Sequence, residues 1–248
     1  MTRIYVAQPL AAGGEALLDG PSAAHVGRVL RLQPGAPLVL FDGRGGEYAG
    51  EIIEVAKRRV RVRLDAQQDL ERESPLPLTL LQCLTRGEKM DLIVQKATEL
   101  GAARIVPVAA ERSVVQLRAA DAGRRLQHWS AIAISACEQC GRNRLPRIEA
   151  PQPLADALRA APRAALRLLL EPQAPRSLAQ DVGALDAGAS ARGIAVLIGP
   201  EGGFTEAEGA LARSEGFQAC RFGPRILRTE TAAIAVLAAL QVIAGDLR

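Results

Sequence analysis

Two stretches near the C-terminus constrain this chain more than anything else in it. They are AVLIGPEGGF, from Ala195 to Phe204, and CRFGPRILRTETA, from Cys220 to Ala232. Each reads as a short buried strand running into a Gly/Pro loop and then a helix. Ala195 to Ile198 is an unbroken apolar run, the pattern of a strand covered on both faces. Gly199, Pro200, Gly202 and Gly203 then exclude regular structure. Thr205 and Glu208 have the spacing of a capping box, which predicts a helix starting at Thr205.

Glycines at the carboxyl end of a strand let a ligand come within contact distance of the main chain. In open parallel sheets that edge is where ligands bind. Two such loops close together in sequence predict one pocket made mostly of backbone N–H and C=O groups. The plain alternative is a pair of ordinary turns. The loops lack both the lysine of a P-loop and the spacing of a GxGxxG fingerprint, so spacing alone leaves the kind of ligand open.

A chain of 248 residues has room for one large domain or two smaller ones. The count of 31 Lys+Arg against 27 Asp+Glu gives +4, a mild pointer to a polyanionic partner. The opening MTRIYVAQPL has no long apolar core of a secretory signal. The longest charge-free apolar run, Ala232 to Gly245, is too short to span a bilayer and reads as a buried helix. A cytoplasmic protein with no membrane partner is expected. Four cysteines make no disulfide scaffold at this length. Cys137 and Cys140 form a lone CxxC inside a helical pattern, and neither His25 nor His128 stands at metal-ligand spacing, so no metal is expected. A thiol-redox protein built on that pair remains a competing reading.

In chain order, Arg3 to Val6 reads as a strand, Ser22 as the cap of a short helix through Arg31, and Pro34-Gly35 as a turn. Leu38 to Phe41 and Glu47 to Val55 are strands around the loop Asp42 to Gly46. Lys57 to Leu64 alternates basic and apolar residues, with Arg59, Arg61 and Arg63 on one face, solvated or edge-protecting. Several short strands with one helix predict a small β-barrel. Asp69 to Pro77 is the linker candidate. Then strand and helix alternate: strand Leu78 to Leu84, helix Asp91 to Leu100 stopped by Gly101, strand Arg104 to Val108, and a long helix Ala120 to Gln139. A helix near Leu154 to Ala160, a strand Ala164 to Leu170, and an irregular connection Gln173 to Arg192 with a short helix lead to the two loops. This rhythm is that of an α/β domain with a largely parallel sheet. The C-terminal helix is apolar nearly all round, broken only by Gln241, so it needs cover on more than one side and favours a homodimer.

Five motifs in order resemble the RsmE family of the SPOUT class, ribosomal RNA uridine N3-methyltransferases. They are RGEKMDLIVQKATELG (Arg86 to Gly101), ERSVVQ (Glu111 to Gln116), EQCGRNRLP (Glu138 to Pro146), LIGPEGGFTEAE (Leu197 to Glu208) and FGPRILRTETAAIA (Phe222 to Ala235). His25 to Tyr48 is similar to the family's PUA-like RNA-binding domain. The resemblance implies an α/β fold: a PUA-like β-barrel domain over 1–72, then a SPOUT-like parallel sheet over 73–248 with a C-terminal trefoil knot at about 164–235. It implies S-adenosylmethionine as methyl donor, N3 of a uridine in 16S ribosomal RNA or the small subunit as acceptor, and a homodimer. A non-catalytic RNA-binding or ribosome-assembly protein of the same fold is the alternative. Cys140 departs from the pattern, standing where the family has a small hydroxyl residue, usually serine.

On that reading the cofactor falls to Leu170, Gly199, Gly202, Gly203, Phe222, Gly223, Ile226 and Leu227, with adenine against Ile226 and Leu227. N3 of uracil must lose a proton, so a base or a stabiliser of the uridine anion is required. Glu201 and Arg228 are the catalytic candidates, with Glu230 read as an acid favoured in a helix's first turn. RNA contacts fall to Arg28, Arg31, Lys89, Arg112, Arg142 and Arg225, the alternative for each being a solvated charge or a salt bridge.

Overall fold

The computed structural model describes residues 1–115, 119–185, 188 and 191–247. Gln116 of ERSVVQ and residues 186, 187, 189 and 190 of the 173–192 connection lie outside the described residues. The chain divides into two compact units, one of Met1–Glu73 with Ile134–Leu145, the other of Ser74–Ala133 with Pro146–Arg248.

The first unit holds strands β1 (Arg3–Tyr5), β2 (Glu15–Leu18), β3 (Pro37–Phe41), β4 (Glu47–Val55) and β5 (Val60–Gln68) in the order β1-β3-β4-β5-β2. β1 and β3 run parallel and the other pairs antiparallel. Two register shifts between β4 and β5 mark bulges, which bend a sheet. Alternate residues Val60, Val62 and Leu64 of β5 enter a core with Leu38, Leu40 and Ile52. On the solvated face Arg61 pairs with Glu15 and Glu54, and Arg63 with Glu51. The basic alternation is therefore a solvated strand face with cross-strand ion pairs. The strand begins at Val60 rather than Lys57, because residues 56–59 close the hairpin through the Ala56 N–H to the Arg59 carbonyl, 2.8 Å.

The helix expected from Ser22 takes another form. A short α1 (Gly20–Ala24) is started by Pro21, with no side-chain cap, and runs into a π-helical turn over His25–Val29. Ser22 lies inside α1, where its hydroxyl is too late to cap. The segment 69–77 has no regular secondary structure, and its part up to Glu73 is pinned within the first unit: Glu71 to Arg144, Arg72 to Glu47, and Glu73 to Arg142.

The second unit is built on a wholly parallel sheet. Its strands are β6 (Leu78–Cys83), β7 (Ala102–Ala109), β8 (Arg147–Ile148), β9 (Gln152–Pro153), β10 (Leu166–Leu170), β11 (Ile194–Ile198) and β12 (Gln218–Cys220). The order is β12-β10-β11-β6-β7-β8, with β9 also on β7. Its helices are α2 (Glu88–Glu99), α3 (Ala119–Cys140), α4 (Leu154–Ala160), α5 (Leu178–Gly183), α6 (Glu206–Ser214) and α7 (Thr229–Ala244); the last seven residues of α3 belong to the first unit. The unbroken apolar strands alternate between two cores. Ile194, Val196 and Ile198 of β11 enter one with α2, α5 and α7, whereas Ala195 and Leu197 enter the other with α4 and α6. That double burial is why β11 reads as a continuous apolar run. In α7 the lone polar interruption is an anchor. The Gln241 amide donates to the Leu100 carbonyl at 2.8 Å and accepts from the Ser74 hydroxyl at 2.7 Å.

Candidate functional site

Because the sheet is parallel, β10, β11 and β12 end on one edge, at Leu170, Ile198 and Cys220. The loops that leave β11 and β12 enclose, with the residues just after Leu170, a cavity of about 690 Å³. Leu170, Gly199, Gly203, Phe222, Ile226 and Leu227 line it, as do Glu201, Arg225 and Arg228. The two loops predicted to share a pocket therefore do.

Gly202 and Gly223 are outside the lining. Gly202 packs on Arg112: a Cβ there would sit 3.2 Å from Arg112 Cβ, and Arg112 Nη1 donates to the Gly202 carbonyl at 3.3 Å. Its smallness makes room for a buttress. Gly199 is under the Phe204 ring, which a Cβ would meet at 3.0 Å.

Local chemistry sets both loops. Thr205 and Glu208 form the capping box that starts α6. The same Glu208 carboxylate accepts the Glu111 N–H at 2.7 Å, which ties the 111–112 turn to the first loop. The second loop is joined to the first through a polar chain in an otherwise apolar layer. Gln82, fully buried on β6, donates from Nε2 to Thr229 Oγ1 at 2.9 Å, and Thr229 donates to the Gly199 carbonyl at 2.9 Å.

A second link is ionic. Lys89, in the first turn of α2, lies 3.1 Å from Glu201 in the first loop and 3.6 Å from Glu230 in the first turn of α7. Glu201 therefore braces the loop, and Lys89, still partly exposed, is shared between two carboxylates. On the far wall Arg213 pairs with Glu171 at 3.1 Å. Ile226 is 84% exposed on the cavity wall, so its role is not core packing. A partly apolar cavity whose acids Glu201 and Glu171 are ion-paired suits an amphipathic ligand carrying a diffuse positive charge.

Sequence reading missed Gln82, Thr229, Glu171 and Arg213. A lone glutamine in the apolar run LTLLQC was the visible signal for the first, since a buried amide needs partners.

Of the cysteine pair, Cys137 is inert core and Cys140 is half-buried at the end of α3. Cys137 is buried in α3, and burial, only partly opposed by Arg142, pushes its thiol up to about 12, the wrong direction for a reactive thiolate.

Of the remaining RNA candidates, Arg28 is exposed within the π turn of the first unit and Arg31 is exposed just after it, with a left-handed backbone at φ 53. Arg112 and Arg225 are exposed in the second unit. Arg142 is a correction: 4% exposed, its guanidinium is held by both oxygens of Glu73, so it fastens the first unit and presents nothing to a phosphate.

Residues 72–241 match the model of an RNA methyltransferase domain, and residues 18–65 that of an RNA methyltransferase PUA domain. The ribosomal RNA small subunit methyltransferase E of Buchnera aphidicola (subsp. Schizaphis graminum) is 31% identical over 245 residues, spanning 99% of this chain and 97% of that protein. The Bacillus subtilis protein of the same name is 30% identical over 238 residues, 92% of each. Among solved structures, a putative methyltransferase from Legionella pneumophila in complex with bound cofactor SAM superposes with a TM-score of 0.91 at 38% identity, covering 99% of both chains. A ribosomal RNA small subunit methyltransferase E from Neisseria gonorrhoeae, bound to S-adenosyl methionine, gives 0.90 at 36% identity over all of both chains.

Proposed function

This chain belongs to the RNA methyltransferase family whose curated members carry the name ribosomal RNA small subunit methyltransferase E, and from that premise we propose that it methylates N3 of a uridine in 16S ribosomal RNA with S-adenosylmethionine as donor. The observation that carries the reading is the cavity at the carboxyl edge of β10, β11 and β12, walled by both Gly/Pro loops. Its volume, about 690 Å³, its apolar wall of Ile226, Leu227 and Phe222, and its loop main chain fit the donor. Bound there, the donor supplies an electrophilic methyl group.

Leu170, Gly199, Gly203, Phe222, Ile226 and Leu227 would hold it, the exposed Ile226 offering apolar surface to its adenine. Alignment of two reactants is the main service such a site renders. Lys89 and Thr229 keep the two loops at a fixed spacing for that purpose. Arg228, exposed on the cavity wall and N-terminal to α7, stabilises the uracil anion formed as N3 gives its proton to solvent water. Glu201 is occupied by Lys89, so we give it a positioning role.

Residues 1–72 form the PUA-like domain and 73–248 the methyltransferase domain, with a trefoil knot over about 164–235. The spatial order β12-β10-β11 against the chain order, and the bridge between Ser177 and Arg221, support that threading. Arg28, Arg31, Arg112 and Arg225 grip RNA phosphates, and a splayed base enters the site. Val242, 54% exposed, and Ile243, 41% exposed, leave an apolar strip on α7 that supports a homodimer. Among the described residues no helix is long and apolar enough to cross a membrane, and we place the protein in the cytoplasm.

Incubating the protein with small ribosomal subunits or free 16S RNA and labelled donor, followed by mass mapping, tests the reading. One new 3-methyluridine is expected; methyl groups on another base or on ribose would overturn it.

A further inference from the structure

A second cavity, about 490 Å³, opens beside the first turn of α2, and nothing in the mechanism above uses it. Thr85, Gly87, Glu88, Asp91, Arg124 and Arg125 are on its wall. Thr85 is 5% exposed, and its hydroxyl has no hydrogen-bond partner among the described residues. A buried hydroxyl left unpaired costs on the order of 1–3 kcal/mol unless something enters to meet it.

The donors around that hydroxyl point the same way. α2 is twelve residues long and has no side-chain cap, because its N-cap is Gly87. Its first-turn N–H groups therefore add the positive end of the helix dipole to this corner. Across the cavity, half-buried Arg125 makes no ion pair or hydrogen bond among the described residues. Arg124 beside it pairs with Asp121 in its own helix, at 2.7 Å.

Two acids also line the space, and one is consumed. Asp91 Oδ2 is 2.8 Å from His128 Nε2, and Asp91 Oδ1 accepts from Trp129 Nε1 at 3.1 Å. Glu88 is an exposed first-turn acid and the single carboxylate on the wall without such a pairing. An uncapped helix start, an orphaned hydroxyl and an unpaired guanidinium together make a receptor for a tetrahedral oxyanion.

We propose that this cavity is a phosphate site. Its occupant is either a backbone phosphate of bound RNA or a free phosphate ion. The RNA source rests on the functional reading above. It would place a strand phosphate against the same helical turn whose Lys89 holds Glu201 and Glu230, so that RNA docking and the cofactor loops share α2.

Full-length wild type, Thr85→Val and Arg125→Gln decide the matter. Each is titrated with inorganic phosphate by calorimetry, with a single-stranded ribosomal RNA fragment between 50 and 200 mM salt, and with S-adenosylmethionine as a check on folding. Both variants should bind phosphate about 5–10-fold more weakly, and Arg125→Gln should lower the salt slope of RNA binding by about 1, with cofactor affinity unchanged. Weaker phosphate binding with RNA affinity intact assigns the site to the free ion. Wild type that binds phosphate but no RNA sinks the functional reading and leaves the site standing. Wild type that ignores phosphate, with variants equal to it on RNA, overturns the proposal.

Discussion

Replacing Thr229 by valine tests whether the two loops are held as one device. The change keeps the side-chain shape and deletes one hydroxyl, which accepts from Gln82 Nε2 at 2.9 Å and donates to the Gly199 carbonyl at 2.9 Å. Gln82 is left with only the Cys83 carbonyl, 3.0 Å from Nε2, while its Oε1 already has no partner among the described residues. Two lost bonds at about 1 kcal/mol each, plus the desolvated amide, come to roughly 2–3 kcal/mol. For a unit of this size that lowers the melting temperature by roughly 5–10 °C. The freed Gly199 carbonyl also loosens the cavity wall, so calorimetric affinity for S-adenosylmethionine should fall about tenfold, or 1.4 kcal/mol. Thr229→Ser keeps the hydroxyl and should restore both. A valine variant that melts within a degree of wild type and binds the donor equally well would refute the reasoning.

Ile226→Ala should leave the melting temperature unchanged, since the side chain is 84% exposed, yet weaken cofactor binding about tenfold by stripping the apolar wall. Lys89→Met should alter stability by less than about 1 kcal/mol, as expected of a partly exposed pair, and cut methyl transfer at least tenfold, read by labelled-donor incorporation. Gly193→Ala places a Cβ 2.4 Å from the Pro77 carbonyl at a backbone φ of +84, so a urea melt should show a loss of about 3 kcal/mol or more. Glu47→Gln gives a pH test. Burial alone would raise the Glu47 carboxyl, but its hydrogen bond and charge pairing with Arg3, with Asn143 and Arg72 adding, hold it below its ordinary value of 4.5. The stabilisation is then complete above the ordinary carboxylate range and lost as pH falls through the depressed value. The variant should be less stable by about 3 kcal/mol at pH 7, and the gap should close in acid.

Much of the site was legible because its signals are local. Glycines and prolines forbid helix within a few residues, and the Thr205–Glu208 cap spans three positions and forms as its spacing requires. The apolar run of β11 encodes burial on both faces in every residue. What stayed hidden depends on partners far away in sequence. Thr229 meets Gln82 across 147 positions, and nothing in TETAA marks that hydroxyl as a tie rather than a helix start. Arg142 looks like any surface arginine until Glu73, 69 residues earlier, closes on it. The three-residue β12 is too short to show a period, and the π turn at His25–Val29 comes from a backbone bond that no side chain announces.

The pairing of Glu201 and Glu171 around the proposed cofactor cavity follows from what a methyl transfer demands. A sulfonium donor loses its positive charge as the reaction proceeds, so an unpaired carboxylate fixed beside it would favour the reactant over the transition state. Of the three acids on the wall of this cavity, Glu201 is matched by Lys89 and Glu171 by Arg213, while Glu206 lies exposed in the first turn of α6. Each pair leaves a small local field, and each crosses a gap that must stay constant: α2 to the first loop, and α6 to the residue after β10. Carboxylates that would tax the chemistry if unpaired instead serve as struts. If that is their purpose, charge and geometry separate under mutation. Glu171→Gln with Arg213→Gln, which keeps a strut without charge, should retain most of the transfer rate, whereas Glu171→Gln alone, which leaves Arg213 unmatched against a cationic donor, should weaken donor binding several-fold in a calorimetric titration. Equal losses in the single and double variants would mean that the carboxylate itself, and not its pairing, is what the site requires.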